Sequence, residues 1–138
     1  MPGVTIGHMF KTRKIPSLNY PGIYLLPLLP MLTLPEATRL ALHVRGLFAL
    51  FEQHTLGKEW TILDLASGCS IDCADLLRLV MAKEGLRKID DIDAKLEHEL
   101  CDVLWSVLVI ADRYSVDLSK AFPDQMKALE NLIQAKLQ

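Results

Sequence analysis

Two stretches carry carboxylates where charge is otherwise absent. In residues 100–111 Asp102 is the only charged residue, and the run is entered through Glu97, His98 and Glu99. In residues 66–77 the only charges are Asp72 and Asp75, among apolar or small neighbours. An ionised carboxylate in an apolar helix is costly unless a partner or a metal compensates it. Asp72 and Asp75 are three apart, as are Glu99 and Asp102, so each pair shares one face of a helix. If the two helices fold back as an antiparallel hairpin centred near residue 87, Asp72 stands level with Asp102 and Asp75 with Glu99. The centre falls in Glu84-Gly85-Leu86-Arg87-Lys88, a polar stretch with a glycine where a turn is expected. All four acids then converge about 18 Å up the hairpin, at the rise of an α-helix. Four converging carboxylates repel unless a cation lies between them, and an all-oxygen set suits a hard ion, Mg²⁺ or Mn²⁺.

The elements that must position these acids read as four helices with no strand. Thr33 and Glu36 form a capping box for the first, whose apolar stripe is Leu40, Val44, Leu47, Phe48 and Phe51. The second helix is capped by Thr61, with Asp64 at the third position, and runs to about Lys83, with Gly85 closing it. The third spans about Ile92 to Tyr114. It is apolar almost all round, which marks an inner helix or a subunit contact. The fourth is capped by Asp117 and carries the stripe Leu118, Phe122, Met126, Leu129 and Ile133, with Pro123 expected to kink it or split off a short first turn. The expected fold is therefore all-α, an antiparallel bundle of four main helices.

Composition narrows the function classes. The chain has 138 residues, enough for one domain with a modest core. Apolar residues make up 51%, which points to buried subunit contacts, and a net charge of −2 leaves no basic field for nucleic acid. Cys69, Cys73 and Cys101 all fall inside helices, as reduced buried thiols of a cytoplasmic protein would. A zinc site built from these three with His98 is the sharper alternative. A di-iron centre is disfavoured, since the residue three before His98 is Lys95 rather than Glu. Residues 1–30 read as an extension to a helical domain at 31–138. They hold Lys11, Arg13 and Lys14, then four prolines through an apolar run too short and broken to span a membrane. No small-residue cleavage site follows, against a signal peptide.

From Thr33 to about Ile133 the chain resembles the MazG-like all-α nucleoside triphosphate pyrophosphohydrolases. The likeness rests on Glu59-Trp60-Thr61, Ile71-Asp72-Cys73-Ala74-Asp75-Leu76, residues 79–85, His98-Glu99-Leu100-Cys101-Asp102-Val103-Leu104 and residues 110–118 with Ala121-Phe122. The family pattern is E-E-x-x-E on one helix and E-x-x-D on the next. The second half is intact as Glu99 and Asp102. In the first half Ile71 replaces one acid, and Asp72 and Asp75 are one methylene shorter than the family's Glu.

The resemblance implies a Mg²⁺-dependent enzyme cutting a nucleoside triphosphate between the α and β phosphates, for house-cleaning or pool control. It also implies a homodimer or homotetramer, with four helices around each site. Asp72, Asp75, Glu99 and Asp102 would hold the metal and orient water. Trp60 and Trp105 are candidates to stack on the base, with core packing as the alternative for both. Lys58, Lys83 and Arg87 are candidates for the phosphates, with simple solvation as the alternative. The loss of one acid leaves open a nucleotide or metal sensor without turnover, or a helical interaction module.

Overall fold

The computed structural model describes residues 32–137, and the readings of residues 1–30 fall outside them. Helices α1 (Leu34–Leu56), α2 (Ile62–Lys83), α3 (Ile92–Arg113) and α4 (Leu118–Leu137) make up nearly all of it, and the described residues contain no strand.

Local chemistry sets the helix ends. The Glu36 carboxylate accepts from the Thr33 backbone N–H at 2.8 Å and from its hydroxyl at 2.6 Å. The Asp64 carboxylate accepts from the Thr61 N–H at 2.8 Å, while the Thr61 hydroxyl accepts from the Asp64 N–H at 3.2 Å. These reciprocal bonds satisfy amide groups that a helix start leaves orphaned. Beyond α2 the chain turns at Gly85, whose φ of +77° an L side chain rarely adopts. The turn is pinned by Lys83, whose ammonium pairs with Asp93 at 2.5 Å. The midpoint between the end of α2 and the start of α3 falls at residues 87–88, as the spacing of the acids predicts.

α2 and α3 pack along most of their length, and α1 lies across α3. The core is Ala41, Leu65, Leu108 and Val109, with Leu34, Trp60, Ile62, Trp105 and Leu118 packed against it. The buried face of α1 differs from the predicted stripe. Ala41 is buried and Phe48 half-buried, but Leu40 and Leu47 are exposed. The inward face instead runs through Ala41, Arg45, Phe48 and Glu52, a 4-3-4 spacing. Glu52 is 1% exposed. Its carboxylate accepts both Arg45 guanidinium nitrogens at 2.9 Å and the Trp60 N–H at 2.8 Å. Arg45 also donates to the Trp60 carbonyl at 3.3 Å. This network ties α1 to the strap before α2.

α4 does not close a four-helix bundle within one chain. It runs unbroken through Pro123, meets α1 over a short stretch, and buries no residue fully. Phe122, Met126, Leu129 and Ile133 remain exposed, as do Leu100, Leu104 and Val107 on α3. The apolar periodicity is present, but the surface that would cover it is not part of the same chain's described residues.

Candidate metal centre

The hairpin brings the four predicted acids into one electrostatic field. Asp72, on the α2 face turned to α3, is 1% exposed, and neither carboxylate oxygen has a hydrogen-bond partner. Loss of hydration is the largest influence on its pKa, followed by the negative charges of Asp102 and Asp75. Together they push it from 3.8 up to about 6, with His98 opposing. Glu99 is raised by burial first and then by Asp72, Asp75 and Asp102. Asp102 is raised by burial, against the pull of His98. A carboxylate feels another's charge this way only when both share a poorly screened space.

The geometry stops short of a finished cage. Among the described residues, no three His, Cys, Asp or Glu side chains stand in a metal-coordinating arrangement. Asp102 faces His98 Nε2 at 3.3 Å, and Asp75 pairs with Arg78 at 3.0 Å. The donor chemistry nevertheless fits a hard cation, because a buried carboxylate with two idle oxygens is what such an ion compensates. Mg²⁺ in particular is commonly held by one or two carboxylates plus waters and phosphates, without an all-protein cage.

The other sequence candidates stand elsewhere. The Trp105 indole N–H donates to the Ala41 carbonyl at 3.1 Å, and its ring lies 5.7 Å from that of Phe48. Trp60 is half-buried against the core, beside Gly68. Both rings thus have packing duties at the α1 interface. Trp105→Phe is expected to lower stability by about 1 kcal/mol, because the buried Ala41 carbonyl loses its second donor. Urea unfolding reads this directly, and an unchanged midpoint would mean the bond contributes nothing. Lys83 and Arg87 lie at the hairpin turn, with Lys83 about 12 Å along α2 from Asp75, and Lys58 is exposed in the α1–α2 connection. None of the three is adjacent to the acids.

Cys69 lies beside Cys73 and Ser106, and burial raises its thiol pKa first. Cys73 and Cys101 are exposed in the single chain, contrary to the buried thiols expected. The zinc alternative lacks a ligand set among the described residues.

Sequence reasoning missed three features. Arg45–Glu52 was legible as two charges on the inward face of α1, had that face been centred on Ala41. Arg78 was legible as an i,i+3 partner of Asp75. Ser106, 1% exposed with an unpartnered hydroxyl, gave no signal of its own. No protein-family model, no curated protein and no solved structure matches the chain.

Proposed function

We propose that the chain is a Mg²⁺-dependent nucleoside triphosphate pyrophosphohydrolase, releasing a nucleoside monophosphate and pyrophosphate. The observation that carries this reading is Asp72: fully buried, both oxygens unpartnered, and repelled by Asp102 across the seam and by Asp75 one turn along the same helix. Such a group is destabilising in isolation and useful beside a cation. The MazG-like sequence pattern adds the nature of the substrate.

In this reading Asp72, Asp75, Glu99 and Asp102 hold the metal, directly or through water, and so also hold the triphosphate it binds. A bound Mg²⁺ supplies charge neutralisation on the phosphates. Glu99 or Asp102, facing the same seam, would take the proton from the attacking water. Water adds at phosphorus, the bridging oxygen between the α and β phosphates leaves with pyrophosphate, and the proton passes to the carboxylate and then to solvent.

We also propose that the working form is a homodimer or homotetramer. Cavities of about 350 Å³ and 410 Å³ lie near the α1–α3 crossing, and neither is lined by any of the four acids. In this reading another copy supplies walls of the nucleotide site, and the exposed α4 stripe is of the right character to provide one. A sensor without turnover is the second reading. It is favoured by the Asp75–Arg78 pair and by the lack of a three-ligand cage among the described residues.

A panel of canonical, deoxy and modified nucleoside triphosphates with Mg²⁺, scored for pyrophosphate, tests the proposal. At least one member is expected to turn over, with the rate falling at least 100-fold in Asp102→Asn. Binding of nucleotide without turnover would move the reading to the sensor. Indifference to both metal and nucleotide would leave a helical interaction module.

A further inference from the structure

Cys69 and Cys73 form a pair that the acid site does not use. They are one helical turn apart on α2, an unbroken helix, so their side chains lie on one face. The two thiols hydrogen-bond each other, and the Ser106 hydroxyl on α3 is set toward the Cys69 sulfur. Ser106 is 1% exposed, Cys69 is half-buried and Cys73 is exposed, so the pair has one sheltered end and one end open to solvent. At 3.6 residues per turn, Cys69 and Cys73 lie about 60° and 100° round the helix from Asp72, both to the same side. α2 therefore carries oxygen donors facing the seam and sulfur donors on its flank.

Geometry narrows what two such thiols can do. Side chains four apart on a helix have Cβ atoms about 5–6 Å from each other, whereas a disulfide needs about 3.5–4.5 Å. An intact α2 thus disfavours a disulfide. A reactive nucleophile is disfavoured as well, because burial first, and then the Cys73 thiol, push the Cys69 thiol up. Structural zinc takes four ligands, and among the described residues no third His, Cys, Asp or Glu joins the pair in a coordinating arrangement. An ion that accepts two sulfurs in line has no such requirement. Two metal–sulfur bonds of about 2.3 Å span about 4.6 Å, which thiols on Cβ atoms about 5–6 Å apart reach without bending the helix. Soft thiolates select Cu⁺ over hard cations, and its filled d shell tolerates linear two-coordination.

We propose that Cys69 and Cys73 form a two-coordinate site for one Cu⁺ ion on the flank of α2, with the Ser106 hydroxyl directed at the Cys69 sulfur. Each thiol gives its proton to solvent as its copper–sulfur bond forms, and the oxidation state of copper does not change. Two thiolates and one Cu⁺ leave a net charge of minus one, which the Ser106 hydroxyl partly offsets by donating to sulfur. The site depends on neither the Mg²⁺ nor the nucleotide reading.

Anaerobic titration of the full chain with Cu⁺, against a chromophoric Cu⁺ chelator, tests the proposal. One ion per chain is expected, with two sulfur neighbours in X-ray absorption at the copper edge. Outer-shell losses already cost metal sites about 10–100-fold, so Cys69→Ser and Cys73→Ser, which each remove a ligand, are expected to weaken binding about 100-fold or more. Cys101→Ser is expected to match the parent. Cys73 is exposed, so Cys73→Ser leaves the packing of α2 in place and reads the ligand alone. A large excess of Mg²⁺ is expected to displace no copper, since a hard ion seeks oxygen. Parent-like affinity in Cys73→Ser, weakened affinity in Cys101→Ser, half an ion per chain, or displacement by Mg²⁺ would each overturn the proposal. Ready formation of a Cys69–Cys73 disulfide in the folded chain, read by mass spectrometry after mild oxidation, would overturn the geometry on which it stands.

Discussion

Asp72→Asn is expected to make the metal-free protein more stable at pH 7 while removing its response to Mg²⁺ or Mn²⁺. Asparagine is close to the neutral form of aspartic acid in shape, so the change deletes the charge and little else. The Asp72 pKa rises from 3.8 to about 6 on folding. Between those values the native state binds more protons than the unfolded chain, so stability falls as pH rises through that window and levels off above it. The difference corresponds to about 3 kcal/mol at pH 7, an upper value that the neutral variant recovers. For a domain of this size that is a rise in Tm on the order of 10 °C. Glu99 and Asp102 are raised in the same direction, so they add to the parent's loss, and the variant relieves part of their repulsion too. In the parent a divalent ion restores the missing stability by binding the native state alone; in Asp72→Asn it does not. Melts at pH 4 and pH 7, with EDTA or with Mg²⁺, read all of this. A variant less stable than the parent in EDTA at pH 7 would show that the Asp72 charge is already well compensated inside the protein.

Much of the hairpin was readable from local chemistry. Thr61, Asp64 and Gly85 mark where α2 starts and stops, and equal distances from a turn place Asp72 opposite Asp102 with no knowledge of the rest. The orientation of α1 was less readable, because Leu40 and Leu47 are as apolar as any core residue. Only packing distinguishes them from Ala41, which is small enough to admit Trp105. The apolar surface of α3 and the stripe of α4 show a second limit. Periodicity reports that a face avoids water, but not whether its cover comes from the same chain. The partners of the acids were hardest to see. Arg78 and His98 reach Asp75 and Asp102 through rotamer choices that spacing allows but does not enforce, and they decide how far the four acids can act together.

Glu52→Ala is expected to be the most destabilising single substitution on α1, costing about 3–5 kcal/mol. The reason lies in what it leaves behind. Arg45 has 14% of its side chain exposed, and its guanidinium bonds both oxygens of Glu52. Without that carboxylate a charged group stays in place with most of its solvation lost. The Trp60 N–H loses its acceptor at the same time, and with it the bond that holds the strap before α2 against α1. Exposed pairs such as Arg39–Glu36 contribute little by comparison, because water replaces the lost partner. Glu52→Gln is expected to cost less, since its amide oxygen still accepts from Trp60 or Arg45. Replacing the pair together, Arg45→Met with Glu52→Leu, is expected to recover much of the loss, because neither charge then needs a partner. Urea unfolding of the four proteins orders them as parent, Glu52→Gln and Glu52→Ala in falling stability, with the double variant above Glu52→Ala. A Glu52→Ala cost below about 1 kcal/mol, in the range of a surface pair, would mean that water reaches Arg45 once the carboxylate is gone, and that α1 is held by Ala41, Phe48 and Trp105 alone.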